Sequence, residues 1–149
     1  VHSMSWTEWY TKYYKGEMMS NTEKVYVGSR ILTDPATGGH ERRVDVFVLD
    51  AETKKTLTKY KLGWHLNVRG HSETGFEWGY GGSGPAQVAL AILCDHFGEE
   101  TLARRHYMAF KWEVVAQLPR RGTESVFGHN WTITQDQIVE ALKDKSIAI

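Results

Sequence analysis

A chain of 149 residues is long enough for one core and too short for two full-sized domains. Its 18 basic and 18 acidic side chains cancel, which argues against bulk electrostatic capture of nucleic acid and leaves room only for a local basic face. The single cysteine, Cys94, excludes an intramolecular disulfide and a cysteine-rich metal site, and no apolar run approaches the length of a bilayer span.

The N-terminus lacks a basic start followed by an apolar stretch, so no secretion signal is expected and the cytoplasm is the expected compartment. Met4, Met18 and Met19 are each plausible starts. Trp6, Trp9, Tyr10 and Tyr13 recur at i, i+3, i+4 and i+7, which predicts a short amphipathic helix. Such a stripe either packs on the rest of the fold or serves as a partner-binding face. Residues 1–20 are therefore read as an aromatic helical extension, and residues 21–149 as one compact domain.

Lys24 to Ile31 predicts a first strand through Val25, Tyr26 and Val27. Asp34-Pro35-Ala36-Thr37-Gly38-Gly39 is a loop. Val44, Val46 and Val48 alternate with Asp45, Phe47 and Leu49, a strand period of two. Leu57 to Leu62 fits a third strand joined to the second as a hairpin, and Trp64 to Arg69 either extends it or forms a fourth. Pro85 to Phe97 is apolar on nearly every side, which predicts a central helix covered by sheet and helix, stopped by Gly98. Glu99 to Leu118 predicts a second helix with Ala103, Tyr107, Phe110, Val114 and Leu118 buried, and Arg104, Arg105, Lys111 and Glu113 nearer solvent. Thr134 with Gln137 is a capping-box pattern, so a last helix starts near Gln135. Strands first and helices later imply an α+β domain: a small antiparallel sheet of three or four strands, packed by the central apolar helix and the second long helix, with helices at both ends.

The densest chemistry lies at Gly75-Phe76-Glu77-Trp78-Gly79-Tyr80-Gly81-Gly82-Ser83-Gly84-Pro85. Gly79, Gly81 and Gly84 satisfy G-x-G-x-x-G, but no second parallel strand with an acidic end follows the helix, so a dinucleotide fold is rejected. No Gly-Lys-Ser/Thr follows, which excludes a Walker loop, and the spacing of a nucleophile elbow is missing. Phe76, Trp78 and Tyr80 share one side of an extended segment. Either they are core residues whose glycines allow a tight turn, or they form an aromatic shelf beside a nest of N–H groups that holds a phosphate. On the second reading Trp78 and Tyr80 stack a base, Gly81, Gly82, Ser83 and Gly84 hold phosphate, and Arg69 and His71 supply charge and hydrogen bonds. Glu77 either bonds the turn's N–H groups or acts with His71 as an acid–base pair. Phe110-Lys111-Trp112-Glu113 brings Lys111 or Trp112 to the turn if the two helices form a hairpin. The seven histidines make no recognised metal spacing, so neither metal nor cofactor is expected.

The run His71-Ser72-x-Thr74-Gly75-Phe76-Glu77-Trp78-Gly79-Tyr80-Gly81-Gly82-Ser83-Gly84-Pro85-Ala86-Gln87 resembles the signature of a family of uncharacterised small domains of bacteria, mobile elements and phages. Tyr26-Val27-Gly28, Phe110-Lys111-x-Glu113-Val114-Val115 and Leu118-Pro119 extend the resemblance from roughly Lys24 to Leu142. It implies one compact domain and, through mobile elements, a role in conflict between phage and host; it implies no established activity. The leading expectation is a non-catalytic binding module for a small phosphorylated, nucleotide-like ligand. A protein–protein inhibitor or adaptor, binding a host or phage protein through Trp6, Trp9, Tyr10 and Tyr13, comes second. A small hydrolase or transferase using His71 and Glu77 comes third.

Overall fold

The computed structural model describes residues 3–5, 21–65, 70, 75–119, 129–142 and 146–148. A short β1 (Ser3–Ser5) pairs antiparallel with β6 (Ser146–Ala148). The main sheet has four antiparallel strands in the order β4-β3-β2-β5, with β2 at Thr22–Asp34, β3 at Gly39–Asp50, β4 at Thr56–Lys61 and β5 at His129–Thr134. Among the described residues there are three α-helices, α1 (Ser83–Phe97), α2 (Glu100–Glu113) and α3 (Gln135–Leu142). The α+β class is as expected; β2 and β3 are longer than the sequence suggested, while β4 has the expected length and is displaced by one residue. The fourth strand is β5, far along the chain, and neither Trp64 nor His65 extends β4.

Local chemistry sets the joints. The β2–β3 turn is closed by the Asp34 carboxylate, which accepts the Ala36 amide at 3.0 Å, and by Gly38 at φ +72°. Gly98 ends α1 in the left-handed region at φ +69°, donating to the Cys94 carbonyl at 3.0 Å. The capping box is present in full: the Thr134 amide donates to Gln137 Oε1 at 2.8 Å and the Gln137 amide to Thr134 Oγ1 at 3.2 Å.

Cross-strand register puts Ile133, Tyr26, Val46 and Tyr60 in one row on the helix-facing side of the sheet. Val88 to Leu93 have no exposed surface, so α1 is the buried middle layer. The α2 stripe of Ala103, Tyr107 and Phe110 packs against it, with Val114 and Leu118 partly buried at its edge. Helix α2 stops at Glu113, short of the expected Leu118; Val114 leaves helical geometry at φ −122° and a 3-10 turn spans Val115–Gln117. Arg104, Arg105 and Glu113 are exposed as expected. Lys111 is not: only 6% of it is exposed.

A polar cluster ties α1 to the sheet. Asp95 accepts the Tyr26 hydroxyl at 2.6 Å, the Tyr60 hydroxyl, and the Lys24 ammonium at 3.1 Å. Burial, then the Asp95 carboxylate, pushes the Tyr60 hydroxyl well above its usual titration range. Next to it the Lys24 amide donates to Gln135 Oε1 at 2.8 Å, which orients the Gln135 amide so that Nε2 donates to His96 Nδ1 at 3.2 Å. His96 therefore carries its proton on Nε2 and is neutral; burial holds its pKa down to about 3. Cys94 is buried, and its thiol is pushed up to about 11, mainly by burial.

Candidate functional site

The glycine turn sits between the end of α2 and the start of α1. Gly79 has φ +84°, a conformation that favours glycine, and its amide donates to the Val115 carbonyl at 3.1 Å. That bond stitches the turn to the 3-10 segment after α2. Gly82 caps α1 in an extended conformation with no side-chain cap, and Pro85 lies in the first turn, where it has no N–H to satisfy. Glu77 packs under Gly84, so a Cβ at Gly84 would stand 2.3 Å from that of Glu77.

The glycines are needed because aromatic rings lie on them. A Cβ at Gly81 would fall 2.2 Å from the Trp112 ring, and one at Gly82 would fall 2.4 Å from the Tyr80 ring. Trp112 is thus at the turn, as a helical hairpin requires. It is 53% exposed and Tyr80 39% exposed, so each ring covers backbone and still meets solvent. Trp64 makes the same kind of contact with Gly75, whose Cβ would lie 2.6 Å from its ring.

Trp78 is placed otherwise. It has no exposed surface, and its indole stands edge-on to Trp131 with ring centroids 5.2 Å apart. Phe76 is likewise in the core. The alternation of the extended segment breaks at Gly79, whose positive φ turns Tyr80 outward. In this arrangement Trp78 has no face to offer a ligand, whereas Tyr80 over Gly82 and Trp112 over Gly81 are both at the surface.

Charge is arranged around the turn from two sides. Arg42 Nε lies 2.7 Å from Glu77 Oε2, and Glu77 Oε1 accepts the Trp78 amide at 3.2 Å. The Glu77 carboxylate is engaged by these groups rather than by the glycine amides. Arg42 stands directly opposite Arg30 in the β2–β3 register, so the two guanidinium-bearing residues share the helix-facing side of the sheet. On the other side, Lys111 Nζ lies 4.1 Å from the centroid of the Trp112 ring. Nothing local in the chain pointed to Arg42, whose role depends on a strand register, and Lys111 was misplaced because helical spacing alone set it on the solvent side.

Ser83 opens α1 beside the glycines. Arg69 and His71, and the aromatic stripe of Trp6, Trp9, Tyr10 and Tyr13, lie outside the described residues. Among the described residues no group of three or more His, Cys, Asp or Glu side chains is placed to hold a metal ion, and no helix is long and apolar enough to cross a membrane.

No curated protein and no solved structure matches the chain. Residues 37–144 match DUF6166, a family of unknown function, and this range contains β3, β4, all three helices and the whole glycine turn. The match spans most of the chain, and the protein belongs to that family.

Proposed function

We propose that the protein is a non-catalytic binding module for a small phosphorylated, nucleotide-like ligand held at the glycine turn. The observation that carries this reading is the pair of half-exposed rings, Tyr80 and Trp112, seated on the consecutive glycines that lead into α1. Flat rings at the surface favour a stacked base. Amides at Ser83 and Gly84, at the positive end of a 15-residue helix, favour a phosphate beside it. A catalytic reading is less favoured, because the Glu77 carboxylate is engaged by Arg42 and the Trp78 amide rather than poised as a base.

Native mass spectrometry of protein purified from its own host or from infected cells tests the reading. A retained nucleotide-sized mass, lost in Gly82→Val, is the expected result; a bare mass together with no binding of added nucleotides refutes it. Gly82 is extended, so valine is tolerated by the backbone, and its side chain displaces Tyr80.

A protein partner is the second reading. Met108 and Trp112 lie one turn apart on α2 and are both exposed, at 41% and 53%. A protein captured with wild type and lost with Trp112→Ala, in the absence of any bound small molecule, would favour it.

A further inference from the structure

An antiparallel sheet with helices on one face only reads apolar inward and polar outward. The main sheet does not follow that pattern. The bonds from Tyr26 and Tyr60 to Asp95 fix α1 on one face, and the β2–β3 register puts Val25, Val27, Ser29, Asp45, Phe47 and Leu49 on the other. On that outer face Val27 is 6% exposed, Ser29 3% and Asp45 7%, while Val25, Phe47 and Leu49 are half-buried. These burials belong to one chain on its own, so residues of the same chain provide the cover.

Neighbouring strands do not supply it. Thr132 stands across from Val27 on β5, Lys61 stands across from Asp45 on β4, and both are exposed. The Lys59 ammonium, 5.3 Å from the centroid of the Phe47 ring, shields the β4 side alone. The ion pairs of Lys54 with Glu23 and of Lys61 with Glu41 border the face, a polar rim around an apolar centre. Of the runs outside the described residues, 66–69, 71–74 and 120–128 carry no aromatic stripe at helical spacing, and 6–20 does. We infer that segment 6–20 packs across this outer face, its Trp6, Trp9, Tyr10 and Tyr13 stripe lying on Val25, Val27 and Ser29, so that the stripe is a structural layer and not a free partner-binding face. The lengths agree. A helical stripe from position 6 to position 13 is about 10 Å long. Val25 to Ser29 along the strand is about 14 Å. The segment runs into β2 at Thr22, and residues 14–21 reach up to about 26 Å when extended, enough to double back over the sheet.

Paramagnetic labelling of the full chain tests this. Cys94 is buried, so a nitroxide goes to one introduced cysteine at a time: Thr132→Cys on the outer face, or Arg105→Cys on the exposed side of α2. The readout is the set of nitrogen-15 tryptophan indole signals, assigned with Trp6→Phe and Trp9→Phe. The Thr132 label should abolish the Trp6 and Trp9 signals, which return when the nitroxide is reduced, and the Arg105 label should leave them intact. Trp131, next to the first label, and Trp112, two turns along α2 from the second, are the positive controls. The inference is overturned if Trp6 and Trp9 keep their signals beside the Thr132 label, which frees the stripe for a partner. It is equally overturned if the Arg105 label abolishes them, which puts the segment on the helix side. A loss that also appears when nitroxide-bearing protein without nitrogen-15 is mixed with unlabelled nitrogen-15 protein overturns it too, because a second copy then covers the face.

Discussion

Gly81→Ala separates a movable surface ring from a fixed core ring, with Gly28→Ala as its counterpart. Neither glycine has a positive φ, so alanine brings no backbone strain at either position. At Gly81 the new methyl meets Trp112 at 2.2 Å and requires the ring to retreat to at least 3.4 Å. Trp112 is mostly exposed and can swing into solvent. The lost ring contact costs about 0.5–1 kcal/mol, and alanine's smaller unfolded-state entropy offsets about 0.4–1 kcal/mol, so the net change is close to zero. At Gly28 the methyl meets Trp131 at 2.0 Å. That indole is buried and braced against the fully buried Trp78, so it has nowhere to go. Overpacking there should cost about 3 kcal/mol, at the upper end for an added core methyl. Urea unfolding followed by circular dichroism measures both. Gly81→Ala should unfold near the wild-type midpoint with a red-shifted tryptophan emission, and Gly28→Ala at a clearly lower one. If Gly81→Ala loses as much stability as Gly28→Ala, Trp112 is a core residue and the surface platform does not exist.

Other outcomes follow from the Asp95 cluster and its neighbours. Asp95→Ala removes the acceptor of the buried Tyr26 hydroxyl and should cost about 2–4 kcal/mol in a urea melt, whereas Tyr60→Phe, at the half-exposed arm, should cost about 1 kcal/mol or less; equal losses would contradict the assigned burial. His96 has a folded pKa of about 3, below the unfolded 6.5, so unfolding takes up a proton at acid pH. Its contribution is complete above pH 6.5 and is lost as the pH falls toward 3, at about 1.4 kcal/mol per pH unit. His96→Gln should flatten that part of the stability–pH curve, and an unchanged slope would refute the assignment.

Much of the fold could be read because the signals were local. The central helix announced itself by apolar residues on every side, Gly98 by its place after Phe97, and the last helix by Thr134 and Gln137; each depends on residues a few positions apart. The end of α2 was misjudged because Val114 to Leu118 continues a helical stripe, whereas in the fold the Gln117 and Leu118 amides bond back to Val114 and Val115 and the Gly79 amide shares the Val115 carbonyl. Strand β5 was missed because His129–Thr134 becomes a strand through pairing with β2, about a hundred residues earlier in the chain.

For the site, the sequence determined where the chain turns and that the turn is glycine-dense. Tertiary structure decided why. Trp112, thirty-one residues from Gly81 in the chain, occupies the space a side chain would need, and Trp131 does the same at Gly28. The same three-dimensional packing sent Trp78 inward, turned Tyr80 outward, set Arg42 against Glu77 and buried Lys111. A residue's local pattern records its element and its face, but charge pairing and ring stacking across elements depend on register and helix rotation, which are set only when the whole core closes.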